Sequence, residues 1–291
     1  LKNLAKAAGK YLSLVRFGHT VFAMPFALIG FSLAVTEAGN SFSLKLLVLI
    51  ILCMVLARNA AMGFNRLVDK RFDSLNPRTS SREIPSGILS PWAVTVFVVV
   101  NSLLFIAAAG LINRLTLCLS PVALAVILGY SLTKRFTSLC HFILGVGLAL
   151  APVGAYISVT GRFELLPLLY SFIVVTWVGG FDIIYSLQDD QFDRENKLHS
   201  IPASIGRKQA LFISTAVHLA TVVLVVMAGI KGNSGWIFWS GAAVFTFLLV
   251  WQHLIVKPSD LSRVSIAFQT TNGIASIVFA AFVIADLIIF R

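Results

Sequence analysis

Five of the twelve acidic residues in this 291-residue chain fall into two regular stripes. In the first, Asn65, Asp69 and Asp73 recur every four residues, so on a helix they share one face, one turn apart. In the second, Asp182, Asp189 and Asp193 are seven and four residues apart, which at about 3.6 residues per turn again places them on one face. Asp190 falls off that face and is expected to be solvated. Carboxylates one turn apart repel each other. A hard divalent cation relieves that repulsion, and magnesium favours a few carboxylates together with phosphate oxygens and retained water. Two such rows facing each other predict Mg2+ bridging a diphosphate. Arg78, Arg82, Lys134, Arg194 and Lys197 lie near the stripes and can contact diphosphate oxygens, arginine through forked hydrogen bonds and lysine as a point charge. One D-x-x-x-D alone fits a solvated loop equally well; two stripes of matched geometry with an Asn four residues ahead fit it poorly. The basic residues taken singly are equally compatible with a topological charge bias.

The elements that must position these stripes are membrane helices. The chain is 58% hydrophobic and 12% charged, with a mean hydropathy of +0.90, whereas soluble domains carry roughly 25% charged residues. Nine apolar runs approach the ~20 residues needed to cross a bilayer: 17–36, 43–64, 92–112, 115–132, 139–160, 165–186, 208–230, 235–255 and 266–289. In lipid such runs must be helical, because only a helix satisfies its backbone internally. The expected fold is all-α: a polytopic membrane protein with nine transmembrane helices around a central cavity, forming one domain over 1–291. Eighteen of the 23 Lys and Arg residues fall in the N-terminal tail or at the ends of the loops after spans 2, 4, 6 and 8, and five on the opposite side. That bias places the N-terminus and the acid-bearing loops, 65–91 and 187–207, in the cytoplasm. The cavity is accordingly expected to open there, in a cell inner (plasma) membrane. The net charge of +11 is explained by this topology, and no nucleic-acid partner is expected. No cleavable signal peptide is expected, because the first apolar run leads directly into further spans. Cys53, Cys118 and Cys140 form no C-x-x-C pair and read as buried, reduced side chains. His141, His218 and His253 are scattered without ligand spacing, His199 lies in the second loop, and His19 lies in the first apolar run.

Several stretches resemble the UbiA superfamily of intramembrane aromatic prenyltransferases. They are Ala57 to Asn65 running into Asp69 and Asp73, Asn76-Pro77-Arg78-Thr79, Arg82 to Gly87, Tyr130 with Thr133 to Thr137, Asp182 through Asp193, and His199 to Pro202. The group most similar is the 4-hydroxybenzoate polyprenyltransferases. The resemblance implies nine helices around a cavity. It also implies magnesium-dependent transfer of a polyprenyl group from an allylic (poly)prenyl diphosphate to a ring carbon of a small aromatic acid, in quinone biosynthesis. It further implies that Asn65, Asp69, Asp73, Asp189 and Asp193 hold the magnesium–diphosphate, that Asp182 supports the site from deeper, and that Tyr130 and Lys134 form a pair near the diphosphate end. Arg16 matches a basic residue of the acceptor pocket. Asn65 is followed by Arg66 where many members have Asp. That variant, with His19 to Phe22 and Arg82 to Pro85, resembles a subgroup proposed to prenylate 1,4-dihydroxy-6-naphthoate for menaquinone, so the acceptor stays open between the two. An ion-coupled secondary transporter is the more distant alternative. Carriers tend to place coupling residues at the midplane, whereas these acids crowd one mouth.

Overall fold

A computed structural model describes residues 9–11, 13–15, 22–37 and 41–290. Its helices are α1 (Met24–Thr36), α2 (Leu44–Val68), α3 (Lys70–Leu75), α4 (Pro91–Gly110), α5 (Arg114–Thr133), α6 (Cys140–Thr160), α7 (Leu165–Ser186), α8 (Asp190–Glu195), α9 (Ile201–Ile205), α10 (Arg207–Lys231), α11 (Trp236–Ile255) and α12 (Asn272–Phe290). A 3-10 turn, Leu187–Asp189, joins α7 to α8, and a π-helical turn, Ile266–Thr271, leads into α12.

Among the described residues, eight helices are long and apolar enough to cross a membrane, and the chain is a multi-pass membrane protein. Their limits lie within a few residues of the apolar runs. The expected span 17–36 is covered only from Phe22; its earlier part, with His19, and Arg16 just before it lie outside the described residues. The short α1 advances only about 20 Å. Local chemistry sets many of the helix starts. Ser43 and Ser90 accept hydrogen bonds from the Leu46 and Ala93 amides, and Asn113 with Thr116 forms a capping box. Pro91 occupies the first turn of α4, where its missing N–H costs nothing.

Unlike a soluble protein, the bundle has an apolar surface as well as an apolar core. Phe212 and Trp92 are 76% and 74% exposed, which only a lipid surround makes stable. Cys118 is likewise exposed rather than buried, because the side of α5 that carries it faces outward. Trp92 and Trp236 sit at helix starts at opposite ends of the bundle, as in an interfacial aromatic belt.

The stretch carrying α7 is the most enclosed, with 67% of its apolar window buried against 28% for α2, α4, α5 and α10. α6 packs against α7, α1 and α5, while α10 covers the other side of α7. At two crossings glycine lies directly against the backbone of the neighbouring helix. A Cβ on Gly30 would stand 2.0 Å from the Pro152 carbonyl oxygen, and one on Gly145 would stand 2.6 Å from that of Val175. In a membrane, where helix association relies on close packing, such small-residue contacts hold α1 and α7 on α6.

Candidate active site

Both acid stripes lie at the same end of the bundle. α2 ends at Val68, and Asp69 turns the chain into α3 with φ −91° and ψ 4°. The backbone ladder continues through that turn, from the Asp69 amide to the Asn65 carbonyl and from the Asp73 amide to the Asp69 carbonyl. Asn65, Asp69 and Asp73 therefore keep their common face. Across the 3-10 turn after α7, Asp182, Asp189 and Asp193 likewise line one cavity. All six line one cavity of about 620 Å³, together with Arg78, Arg82, Tyr130 and Lys134. The polar groups crowd one end. The apolar remainder follows α5 from Lys134 to Thr116, about 27 Å at the helical rise, and reaches Ile112 and Phe163.

Each of four acids lies against a cation. Arg78 forks onto Asp189, with Nε donating to Oδ1 at 2.9 Å and Nη2 to Oδ2, while its Nη1 donates to the Tyr185 hydroxyl at 2.9 Å. Asn76 donates to the same Asp189 Oδ1 at 3.0 Å. Arg82 donates to Asp73 Oδ1 at 2.6 Å. Lys134 Nζ stands 2.7 Å from Asp193 Oδ1, as an ion pair without an aligned hydrogen bond. The Ser200 hydroxyl donates to the other Asp193 oxygen at 2.8 Å. Arg135 reaches Asp69 at 3.3 Å, and Asn65 donates to Asp69 at 3.1 Å. The fifth acid, Asp182, meets His141 Nδ1 at 2.7 Å. Arg78 and Asn76 carry the loop of the first stripe onto the second, so the two rows meet at one mouth.

Burial, reinforced by the Asp73 charge, pushes the Asp69 carboxyl above the ordinary carboxylate range, against the pull of Arg135 and Lys134. Burial alone would lower the Lys134 ammonium, but the Asp193 carboxylate outweighs it and holds the ammonium above an ordinary lysine.

Among the described residues, no three His, Cys, Asp or Glu side chains are drawn together closely enough to hold a metal ion. The donor chemistry nonetheless fits a hard cation. The candidate ligands are all oxygen donors, and Asp73 Oδ2 is buried with no hydrogen-bond partner. Loading such an ion requires the acids to exchange their Arg and Lys partners for it.

Some expected residues are placed elsewhere. Arg194 does not line the cavity: its guanidinium donates to the Ala203 and Pro202 carbonyls at 3.0 and 3.2 Å. Lys197 is exposed in the following loop, at φ 56°. Asp190 does point away from the cavity, but it is 5% exposed rather than solvated, because Arg207 clamps it at 2.8 and 2.9 Å. Conversely, Asn76, Arg135, His141, Tyr185, Arg58 and Arg66 line the cavity without having been singled out. Arg58 had a signal, since a charge inside an apolar run is itself suggestive of function. The spacing of His141 carried none. His218 and His253, far apart in sequence, bond at 2.8 Å between α10 and α11, away from the cavity.

Comparisons with known proteins agree with this geometry. The family model described as the UbiA prenyltransferase family matches residues 23–282. The chain is 26% identical over 245 residues to a 4-hydroxybenzoate octaprenyltransferase of Nitrosospira multiformis, covering 84% of each chain. It is 28% identical over 225 residues to one of Citrobacter koseri, covering 77% of each. Among solved structures, the apo form of a UbiA homolog from Aeropyrum pernix K1 superposes with a TM-score of 0.83 at 33% identity, covering 92% of this chain and 98% of that one. A UbiA homolog from Archaeoglobus fulgidus bound to GPP and Mg2+ shares the fold, with a TM-score of 0.70 at 20% identity over 96% of this chain and all of that one.

Proposed function

The chain belongs to the UbiA prenyltransferase family, and on that premise we propose that it transfers a polyprenyl group from an allylic diphosphate to a ring carbon of an aromatic acid, 4-hydroxybenzoate, in quinone biosynthesis. The observation that carries this reading is the convergence of both acid stripes, with their cations, on the mouth of an apolar cavity running most of the length of α5. The names of the curated relatives support the acceptor. The Archaeoglobus homolog with GPP and Mg2+ supports the donor and the cofactor. The reading includes nine spans in one domain over 1–291 and a cavity mouth facing the cytoplasm of a plasma membrane, which the Lys and Arg asymmetry supports.

Asn65, Asp69, Asp73, Asp189 and Asp193 would hold Mg2+. When bound, the metal supplies Lewis-acid stabilisation to the diphosphate as the allylic C–O bond breaks. Arg78, Arg82 and Lys134 then turn from their carboxylates to the phosphate oxygens and share the charge that builds on the leaving group. Tyr130 lines the same end. The apolar walls take the isoprenoid tail and exclude water, which would otherwise capture the allylic cation. An electron-rich ring carbon next to the acceptor hydroxyl attacks that cation, and loss of the ring proton restores aromaticity.

The test is a transfer assay in nanodiscs. Polyprenyl diphosphates would be offered with 4-hydroxybenzoate and with 1,4-dihydroxy-6-naphthoate in parallel, with and without Mg2+, for wild type and Asp69→Ala. Metal-dependent prenylation of 4-hydroxybenzoate, lost in the variant, is expected. Product with the naphthoate alone would overturn the acceptor, and product with neither would overturn the quinone reading.

A further inference from the structure

Among the described residues, four of the five cavity acids pair with Arg or Lys, and Asp182 pairs with a histidine instead. Its partner is His141, which is 1% exposed and held at both ring nitrogens. The Ile201 backbone N–H donates to Nε2 at 3.2 Å. A backbone N–H can only donate, so Nε2 carries no proton. The ring proton therefore sits on Nδ1 and is donated to Asp182 Oδ2 at 2.7 Å. His141 thus orients the Asp182 carboxylate from one side.

Asp182 also stands apart in depth. Seven residues before Asp189, it lies about 10 Å further into the cavity, and its side chain is 20% exposed. The wall around it is aromatic. Phe181 lies 5.7 Å from Phe22 and 5.5 Å from Phe268, and Tyr185 stacks on Phe268 at 4.1 Å between ring centroids. A flat phenolic ring fits among such faces. The diphosphate-binding groups lie toward the mouth, so a ring seated here would meet the allylic carbon from the inner side.

We propose that Asp182 is the base that takes the proton lost by the aromatic acceptor, and that His141 is the residue that positions it; this rests on the prenyl-transfer reading above. The allylic C–O bond breaks and its electron pair leaves with the diphosphate. The ring carbon beside the hydroxyl forms the new C–C bond, which makes the ring cationic. The proton on that carbon passes to Asp182, and the C–H electron pair returns to the ring. A cationic ring is a far stronger acid than a carboxylic acid, so an ordinary carboxylate suffices as acceptor. Asp182 later releases the proton to water through the mouth.

The experiment compares wild type, Asp182→Asn, His141→Leu and His141→Asn in nanodiscs. It measures prenylated acceptor, prenyl alcohol, and the thermal shift caused by Mg2+ with inorganic diphosphate. Asp182→Asn is expected to lose about 10²–10⁴-fold in transfer while keeping the thermal shift and diverting the donor to prenyl alcohol. His141→Leu is expected to show a primary isotope effect with ring-deuterated acceptor that wild type lacks. His141→Asn, which keeps a donor near the Nδ1 position, is expected to restore wild-type behaviour. Transfer by Asp182→Asn within a few-fold of wild type overturns the proposal. So does loss of its thermal shift in folded protein, which would put Asp182 in the diphosphate site. The His141 isotope effect decides the matter if Asp182→Asn does not fold. Wild type that shows the thermal shift but prenylates no aromatic acceptor would sink the function reading itself, and the proposal with it.

Discussion

Lys134→Met separates the structural and catalytic roles of the second stripe. Asp193 is fully buried, and its partners are Lys134 Nζ at 2.7 Å and the Ser200 hydroxyl at 2.8 Å. Methionine keeps most of the stem and leaves the backbone intact, including the 2.7 Å bond from the His199 amide to the residue 134 carbonyl. What remains is a desolvated carboxylate with one neutral donor. Removing one partner of a buried pair costs about 3–5 kcal/mol. Because the lysine side chain is 34% exposed, the lower end, about 3 kcal/mol, is the better figure. For a chain of this size each kcal/mol moves the melting temperature by about 2–4 °C, so the ligand-free variant should melt about 6–12 °C below wild type. The five tryptophans provide the readout, as intrinsic fluorescence during heating in detergent. Added Mg2+ should recover more of the loss in Lys134→Met than it adds to wild type, because a cation can replace the missing ammonium. A drop of under ~2 °C would mean that Asp193 is solvated or re-paired. A full drop that Mg2+ does not touch would remove Asp193 from the metal ligands.

Asp189→Asn should lose most transfer activity, whereas Asp190→Asn, which faces Arg207 instead of the cavity, should keep activity within a few-fold and lower only the melting temperature. Similar activity losses in both would refute the division between the two neighbours. The raised Asp69 carboxyl sets a pH dependence. A carboxyl raised in the folded state means the native protein holds more protons than the unfolded chain between the two values, so the stability tied to Asp69 falls as pH rises through that window. Ligand-free Asp69→Asn should therefore melt no lower than wild type at alkaline pH, and any advantage should shrink as pH falls and the wild-type carboxyl protonates; a constant offset across pH would count against this. Gly30→Ala should cost about 2–3 kcal/mol or more by driving α1 off the Pro152 carbonyl. Gly129→Ala, where a Cβ meets nothing within 4 Å, should stabilise by about 0.5–1 kcal/mol, and equal melting of the two variants would show that the close crossing is not needed.

The sequence alone determined what is local and periodic. A run of about 20 apolar residues has no choice but a helix in lipid, so the long spans were legible almost to their ends. The shared faces of Asn65, Asp69 and Asp73, and of Asp182, Asp189 and Asp193, follow from 3.6 residues per turn; the backbone ladder carries the first across the break after α2, and the second still lines the same cavity after the turn that follows α7. The same arithmetic held a warning about Arg194, which lies one residue and about 100° beyond Asp193 and so faces the Pro202 and Ala203 carbonyls. The choice of partner for each acid belonged to the tertiary structure. Asn76 and Arg78 meet Asp189 across 113 and 111 residues, and His141 meets Asp182 across 41. These contacts depend on how the loops after α2 and α7 fold over a common mouth and on how closely α6 crosses α7 at Gly145. Periodicity encodes which face a side chain occupies, but not what that face meets.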